Sequence, residues 1–275
     1  MLPGEAVRAA SFDTLPVLTG IDHVILAARD PDAGIAELES LVGLPAGGGG
    51  RHDAHGTHNR LTWLGDGYIE LMGVFDPALA AASWWGVRML EVLSTAEGDG
   101  AYAGIAIACD DLETEIVRQR GIGSPISDPI DGQRVRPDGE VVRWRIARLP
   151  AADAELGLVF LIEHDTSGAE WRPEDRAARA AQELPQLGRV TLTRVELPVA
   201  DVARSSMHLL RDLGLQFRPS LAGGGARDSS IGSQTLRLRP TAGGRGSPTV
   251  GMRAPAVAEA RHATAFECNW VIDRG

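Results

Sequence analysis

Thr19-Gly20-Ile21-Asp22-His23-Val24-Ile25-Leu26-Ala27-Ala28-Arg29-Asp30 is the stretch that decides the fold, because an apolar strand runs directly into a helix start. Asp30 is a good N-cap, Pro31 suits the first helical position, and Gly43 ends the helix. Three shorter strand-like runs follow, and the last is Tyr68-Ile69-Glu70-Leu71-Met72. The pattern predicts one unit of strand, helix, strand, strand and strand.

One histidine and one glutamate interrupt the apolar first and last strands of this unit. Side chains alternate between the two faces of a strand, so His23 shares a face with Ile25, and Glu70 shares one with Met72. A polar group inside such a strand needs a partner or a ligand. His23 and Glu70 are therefore candidate site residues, and a hydrogen-bonded core histidine is the alternative for His23.

A second copy of the unit follows in the sequence. Residues 102–111 repeat the first strand and its cap, a short helix follows, and residues 156–164 form a closing strand. Aligning the two openings sets Gly104 opposite His23. Aligning the two closing strands sets Glu163 opposite Glu70.

The run Ile21-Asp22-His23-Val24, with Gly56-Thr57-His58-Asn59-Arg60-Leu61 and Gly65-Asp66-Gly67-Tyr68-Ile69-Glu70-Leu71, resembles the vicinal oxygen chelate superfamily. The last two runs are similar to its glyoxalase-like domain branch. The resemblance covers roughly residues 19–165. It implies an α+β fold in which paired βαβββ modules form an open, cup-shaped mixed β-barrel around one metal. A His or Gln and a Glu from each module typically hold that metal.

Carried onto this chain, the resemblance implies the metal ligands His23, Glu70 and Glu163. The fourth position is Gly104, which has no side chain to ligate. One imidazole and two carboxylates suit a divalent ion with open positions, such as Fe²⁺, Mn²⁺, Ni²⁺, Co²⁺ or Zn²⁺. Such an ion would chelate paired substrate oxygens and act as a Lewis acid. The absent fourth ligand leaves open a site without any metal.

Several other residues are candidates for catalysis or substrate binding. Glu163 is alternatively a proton-transferring base, because a dry cavity raises the pKa of a carboxyl group. His58 is a second catalytic candidate and Asn59 a substrate-binding one, although they lie on opposite strand faces. Arg143 and Arg145 share a strand face and are candidates for holding a substrate carboxylate, with solvated or ion-paired arginines as the equal alternative. The loop residues His52 and His55 are set aside, since loop histidines are usually solvated.

Two classes of function remain. The first is a metal-dependent enzyme, either a glyoxalase-like lyase or isomerase or a ring-cleaving dioxygenase. The second is a metal-free protein that binds a small molecule in the same cup, for resistance or sequestration. The retained His23, Glu70 and Glu163 favour the enzyme, and Gly104 favours the binding protein.

The amino-acid composition limits the possible binding partners and the cellular compartment of the protein. The net charge of −10 disfavours nucleic acid, and all 27 basic residues are arginines, so lysine Schiff-base chemistry is excluded. The two cysteines lie far apart in the sequence and do not make a disulfide framework. The sequence has no apolar run of about 18 residues, so no transmembrane helix is predicted. Residues 1–18 lack the apolar core of a signal peptide, so we expect a mobile leader and a cytoplasmic protein.

The chain divides into three regions after this leader. Residues 19–165 form the glyoxalase-like domain, with modules at 19–74 and 102–165 and a linking helix at 76–94. The adjacent residues Trp84 and Trp85 in that helix cannot share one face. We expect one of them to be buried and the other to line a pocket mouth or to make a contact in a homodimer. Residues 166–188 are a polar linker, and residues 189–275 hold a third partial βαβββ-like module.

Overall fold

The opening strand and helix form as the sequence predicts. In the computed structural model, which describes residues 18–149, 156–244 and 246–275, β1 (Leu18–Ala28) leads into α1 (Pro31–Val42). The Asp30 side chain accepts hydrogen bonds from two backbone N–H groups of the first helical turn. Gly43 ends the helix in the left-handed conformation, with φ of 82°. The predicted leader lies outside the described residues except for Leu18.

Two βαβββ units make up the first half of the chain. The first consists of β1, α1, β2 (Gly48–His52), β3 (Thr57–Leu64) and β4 (Gly67–Val74). Helices α2 (Pro77–Ala81) and α3 (Trp84–Thr95) connect it to the second. The second consists of β5 (Gly100–Cys109), α4 (Leu112–Gly121), β6 (Ile130–Val135), β7 (Val141–Arg148) and β8 (Leu158–His164). The predicted α+β fold of paired modules is confirmed.

The eight strands close into one mixed barrel in the order β1-β4-β3-β2-β6-β7-β8-β5. The two modules meet along the antiparallel pair β1–β5, and within each module the first and last strands are parallel. On the opposite side a single residue pair, Arg51 with Val135, joins β2 to β6. The barrel is therefore closed, but only one residue pair joins β2 to β6. This weak junction lies where the predicted cup would be open.

A second sheet follows the barrel and repeats its topology. After α5 (Pro173–Ala181), it contains β9 (Thr191–Val199), α6 (Val202–Leu213), β10 (Arg218–Pro219), β11 (Arg227–Ile231), β12 (Gln234–Pro240), β13 (Thr249–Ala254), β14 (Arg261–Ala265) and β15 (Cys268–Arg274). Its order is β10-β11-β12-β9-β13-β15-β14. This is the strand order of the barrel without a counterpart of β6. The sheet therefore consists of a third βαβββ module and the three strands of a fourth.

One hydrophobic core joins the barrel to the second sheet. The outer faces of β1 and β5, with helices α1 and α4, pack in the same buried cluster as the inner sides of β9, β12, β13 and β15. Gln234 adds a polar contact, since its side chain bonds both the backbone N–H and the C=O of Ile21. The barrel interior and the free face of the second sheet consequently point away from this shared core.

Two segments differ from their predicted form. The linking helix is broken at Ser83, whose hydroxyl accepts from Gly86 N–H and starts α3 as a separate helix. The C-terminal strand is a hairpin, because Phe266 and Glu267 take left-handed φ values of 54° and 52° between β14 and β15. Neither break carries a glycine or proline, which are the residues that most strongly mark such turns.

Gly104 gives a test of the close packing between β5 and β8. A Cβ atom at this position would lie 2.4 Å from the backbone oxygen of Leu158 and 2.8 Å from its nitrogen. We expect Gly104→Ala to lower the free energy of unfolding by about 2–3 kcal/mol, as overpacking in a core does. Urea unfolding measures this change. Gly98→Ala is the control, because nothing lies within 4 Å of its added atom, and an equal effect of the two changes would contradict the packing argument.

Candidate functional site

His23 and Glu70 meet inside the barrel. Parallel pairing of β1 with β4 sets Ile25 beside Glu70 and His23 beside Tyr68, so the two polar side chains enter from neighbouring strands. His23 Nε2 lies 3.5 Å from Glu70 Oε2, and both residues are buried. Asn59 on β3 donates its amide to Glu70 Oε1 at 2.7 Å. The structure thus brings three of the predicted residues to one cavity.

A β-bulge in β1 adds a buried carboxylate beside His23. Ile21 pairs with Ile107 and His23 with Ala106, so Asp22 is an extra residue in this ladder. Asp22 Oδ1 accepts from His23 Nδ1 at 2.6 Å, and Asp22 Oδ2 accepts from His164 Nε2 at 3.0 Å. Burial alone would raise the pKa of Asp22, but the interactions with His164 and His23 hold it well below its usual range.

The hydrogen bonds of Asp22 fix the tautomer of His23. A carboxylate only accepts, so His23 Nδ1 carries a proton and Nε2 faces Glu70. His23 Nε2 and Glu70 Oε2 lie 3.5 Å apart at the cavity surface, so both atoms can take part in a hydrogen bond with a bound molecule.

Aromatic and aliphatic side chains together form most of the cavity wall. His23 stacks on Tyr68 with ring centroids 4.4 Å apart, and Phe160 contacts it edge-on. The space between the lining side chains is about 50 Å³. The remaining apolar and aromatic lining residues are Ile25, Trp63, Met72, Trp85, Val142, Trp144, Ile146, Leu158, Ile162 and Trp171. The cavity is therefore mainly apolar, and its polar lining consists of His23, His52, Asn59, Glu70, Arg134, His164 and Glu170.

The predicted linker supplies part of the cavity wall. Trp171 stacks on His164 with ring centroids 3.4 Å apart and planes 10° apart. Glu170 forms an ion pair with the buried Arg134, and its own backbone has a left-handed φ of 69°. Arg179 of α5 lies over the Trp63 ring at 4.0 Å. Residues 169–171 therefore cover the barrel, which a composition-based linker prediction could not show.

His52 also lines the cavity, although its place in a predicted loop indicated a solvated side chain. Its Nδ1 lies 3.0 Å from Thr57 Oγ1, and its ring packs edge-on against Trp85 and Trp144. Burial, followed by the charge of Arg134, lowers the pKa of His52 to about 3. His55 lies outside the lining, against Trp85. His52 faces the cavity and His55 does not, and this difference arises only when β2 pairs with β6 and closes the barrel.

Glu163 does not reach the cavity, so the expectation that it converges with His23 and Glu70 is wrong. It lies on the outer face of β8, where Arg145 Nη2 binds its Oε2 at 2.5 Å. The neighbouring residues Ile162 and His164 face inward instead. The error lies in the alignment of the closing strands. Register pairs Ala106 with Phe160 as it pairs Ile25 with Glu70, so Phe160 is the counterpart of Glu70.

The other predicted residues also lie outside the cavity. Arg145 bonds Glu163 and also Glu113 at 3.0 Å, while Arg143 is exposed on the same outer face. His58 points out of β3 toward Phe75. The structure therefore leaves Asn59 as the one predicted substrate-binding residue in the cavity. It does not assemble the catalytic pair Glu163 and His58 there.

The donor set does not fit a resident metal. A catalytic metal site typically needs three protein ligands, and the second module offers Phe160 and Gly104 where the first has Glu70 and His23. Across residues 18–149, 156–244 and 246–275, no group of three His, Cys, Asp or Glu side chains has metal-binding geometry. Gly104 cannot gain a ligand by substitution, since an added Cβ meets the Leu158 backbone.

Comparison with known proteins identifies the fold family. A sequence model of the glyoxalase-like domain matches residues 21–213. A hypothetical protein from Staphylococcus aureus superposes with a TM-score of 0.75 at 14% identity, over 93% of this chain and 99% of its own. Methylmalonyl-CoA epimerase from Mycobacterium tuberculosis gives a TM-score of 0.41 at 21% identity, over 56% of this chain and 93% of its own. A search of curated proteins found no match. In the described part of the chain no helix has both the length and the apolar character needed to cross a membrane.

The buried His52 predicts a loss of stability in acid. The folded chain keeps His52 neutral down to a pKa of about 3, whereas the unfolded chain binds that proton near pH 6.5. Because the unfolded state holds more protons between these values, the free energy of unfolding falls as the pH falls. His52→Asn should reduce the slope between pH 6 and 4 by about 1.4 kcal/mol per pH unit.

Urea unfolding at several pH values measures that slope. The exposed His262→Asn on β14 is the matched control and should leave the slope unchanged. Equal slopes in the wild type and His52→Asn would show that His52 is solvated.

Proposed function

The chain belongs to the glyoxalase-like domain family of the vicinal oxygen chelate superfamily, and from this premise we propose that its barrel binds a small, mainly apolar, oxygen-bearing molecule without a resident metal. The observation that carries the proposal is the apolar, aromatic-walled cavity with His23, Glu70 and Asn59 on one side. Apolar pockets with few convergent polar groups are the usual form of small-molecule sites.

Hydrogen-bonding capacity on the polar side supports an oxygen-bearing ligand. Asn59 Oδ1 is buried without a hydrogen-bond partner in the described structure, and His23 Nε2 and Glu70 Oε2 lie 3.5 Å apart in the same cavity. A ligand hydroxyl or enol can donate to Asn59 Oδ1, and a carbonyl can accept from His23 or Glu70. Aromatic rings on the remaining walls suit a flat ligand body.

A second candidate function is proton transfer on the bound molecule, as in an isomerase or lyase. The observation that favours it is the Asp22–His23 hydrogen bond of 2.6 Å, which orients the imidazole with Nε2 toward the cavity. An imidazole held in this way by a carboxylate is a common general acid or base. In this mechanism His23 Nε2 takes a proton from a carbon next to a ligand carbonyl, and the protonated form of Glu70 donates a hydrogen bond to the carbonyl oxygen, which becomes the oxygen of the enol.

Ligand binding can be tested with a set of compact hydroxy acids and ketones of only a few heavy atoms, because the space between the lining side chains is about 50 Å³. Because Trp63, Trp85, Trp144 and Trp171 line the cavity, we expect a bound compound to change the tryptophan fluorescence. A chelator should leave the affinity unchanged. Ile162→Trp fills the cavity and should weaken binding by about tenfold or more, which is about 1.4 kcal/mol.

Val117→Trp on the exposed face of α4 is the matched control for that change, since Val117 is 68% exposed. It should bind as the wild type does. Binding that survives in Ile162→Trp, or that requires an added divalent ion, would place the ligand elsewhere or restore the metal-dependent reading.

Proton transfer can be tested by deuterium exchange. For a bound ketone in D₂O, the wild type should accelerate exchange of the hydrogen next to the carbonyl, which NMR measures. His23→Gln should lower the exchange rate by about 10²–10⁴-fold, the usual contribution of a general base, while fluorescence still reports binding. Exchange at the wild-type rate in His23→Gln would leave only the binding function, and His262→Gln is the control for a histidine outside the site.

A further inference from the structure

Arg194 in the second sheet occupies the position that His23 has in the barrel. Asp201 caps α6 as Asp30 caps α1, and counting back from each cap reaches Arg194 and His23 at the same step. Register confirms the match across the neighbouring strand, because Glu196 pairs with Arg237 as Ile25 pairs with Glu70. The two polar positions of the barrel site are therefore both arginines in the second sheet.

The same backbone irregularity presents Arg194. Gly251 pairs with Arg194 and Met252 with Leu192, so Thr193 is an extra residue in β9 as Asp22 is in β1. Val195 and Leu197 enter the shared core, which directs Arg194 and Glu196 to the free face of the sheet. Thr193 fixes this bulge by donating its hydroxyl to the Gly251 carbonyl at 3.1 Å.

Two arginines on this face have close carboxylate partners. Arg237 binds Asp228 through two nitrogens at 2.7 and 2.8 Å, and Arg239 binds Glu196 at 2.8 Å. Hydrogen bonding by Arg237 holds the pKa of the Asp228 carboxyl below its usual range, and Arg194 contributes to this only by its charge at longer range. Arg194 has no ion pair within 4 Å among the described residues, and its buried Nε has no hydrogen-bond partner there. The Nε atom is out of reach of solvent, so an external anion would meet the terminal Nη atoms of this half-buried guanidinium, for which the described residues supply no ion pair.

We propose that the free face of the second sheet holds a second binding site, at which Arg194 takes the carboxylate or phosphate group of a small anion. The guanidinium lies over Gly251, where a Cβ atom would come within 3.4 Å of its Cζ and Nη2. Because Gly251 on β13 has no side chain, there is room for the guanidinium of Arg194. Planar guanidinium groups bind these anions through two parallel hydrogen bonds.

Titration calorimetry at low ionic strength tests the site with two probes, inorganic phosphate and succinate. The wild type should bind at least one of them, and the one it binds more tightly identifies the anion class. Arg194→Gln should weaken binding by about tenfold or more, as expected for loss of a charge-assisted hydrogen-bond pair. Arg204→Gln removes the same charge from the exposed face of α6 and should change the affinity by less than about twofold.

Gly251→Ala is a second variant, which keeps the charge of Arg194 and displaces its guanidinium. It should weaken binding several-fold while the thermal unfolding midpoint stays close to that of Arg204→Gln. NMR of the arginine side chains adds a direct signal, because the Nε–H resonance of Arg194 should shift with the bound anion. Absence of binding by both probes, or equal losses in Arg194→Gln and Arg204→Gln, would overturn the proposal.

Discussion

A single buried carboxylate, that of Asp22, sets the geometry of the barrel site. It is removed from water, so it needs donors, and the two that it finds come from different modules, His23 on β1 and His164 on β8. His23 is thereby fixed with Nε2 toward Glu70. His164 is fixed as a platform for Trp171, and Trp171 closes one end of the cavity. One charge thus connects His23 and Glu70 to the cover of the cavity.

Local sequence signals predicted the elements well. The cap residues Asp30 and Gly43 bound α1 as expected, and the strand phase of β1 and β4 placed His23 and Glu70 on one interior face. These signals depend on residues close in sequence, and backbone geometry turns them into positions with little outside influence. The resemblance to a known family supplied the pairing of the two modules, which no local signal contains.

Distant contacts account for the residues that the sequence did not place. Glu163 was chosen by aligning the ends of two strands, yet phase along a strand reverses with each residue, and the ladder with β5 decides which residues face inward. His52 and Arg134 come from strands that meet only when the barrel closes. The covering role of residues 169–171 rests on an ion pair and on ring stacking, which have no period in the sequence.

The bulges at Asp22 and Thr193 have a consequence for how such sites change during evolution. In an ordinary strand, losing one residue turns every side chain beyond it to the opposite face. At these two positions the residues on either side already alternate correctly, with Ile21 outward and His23 inward, and with Leu192 in the core and Arg194 on the free face. A single-codon deletion there would straighten the strand and leave both faces intact. The carboxylate beside His23 can therefore be gained or lost during evolution by the insertion or deletion of one residue, while the strand phase of the barrel stays the same.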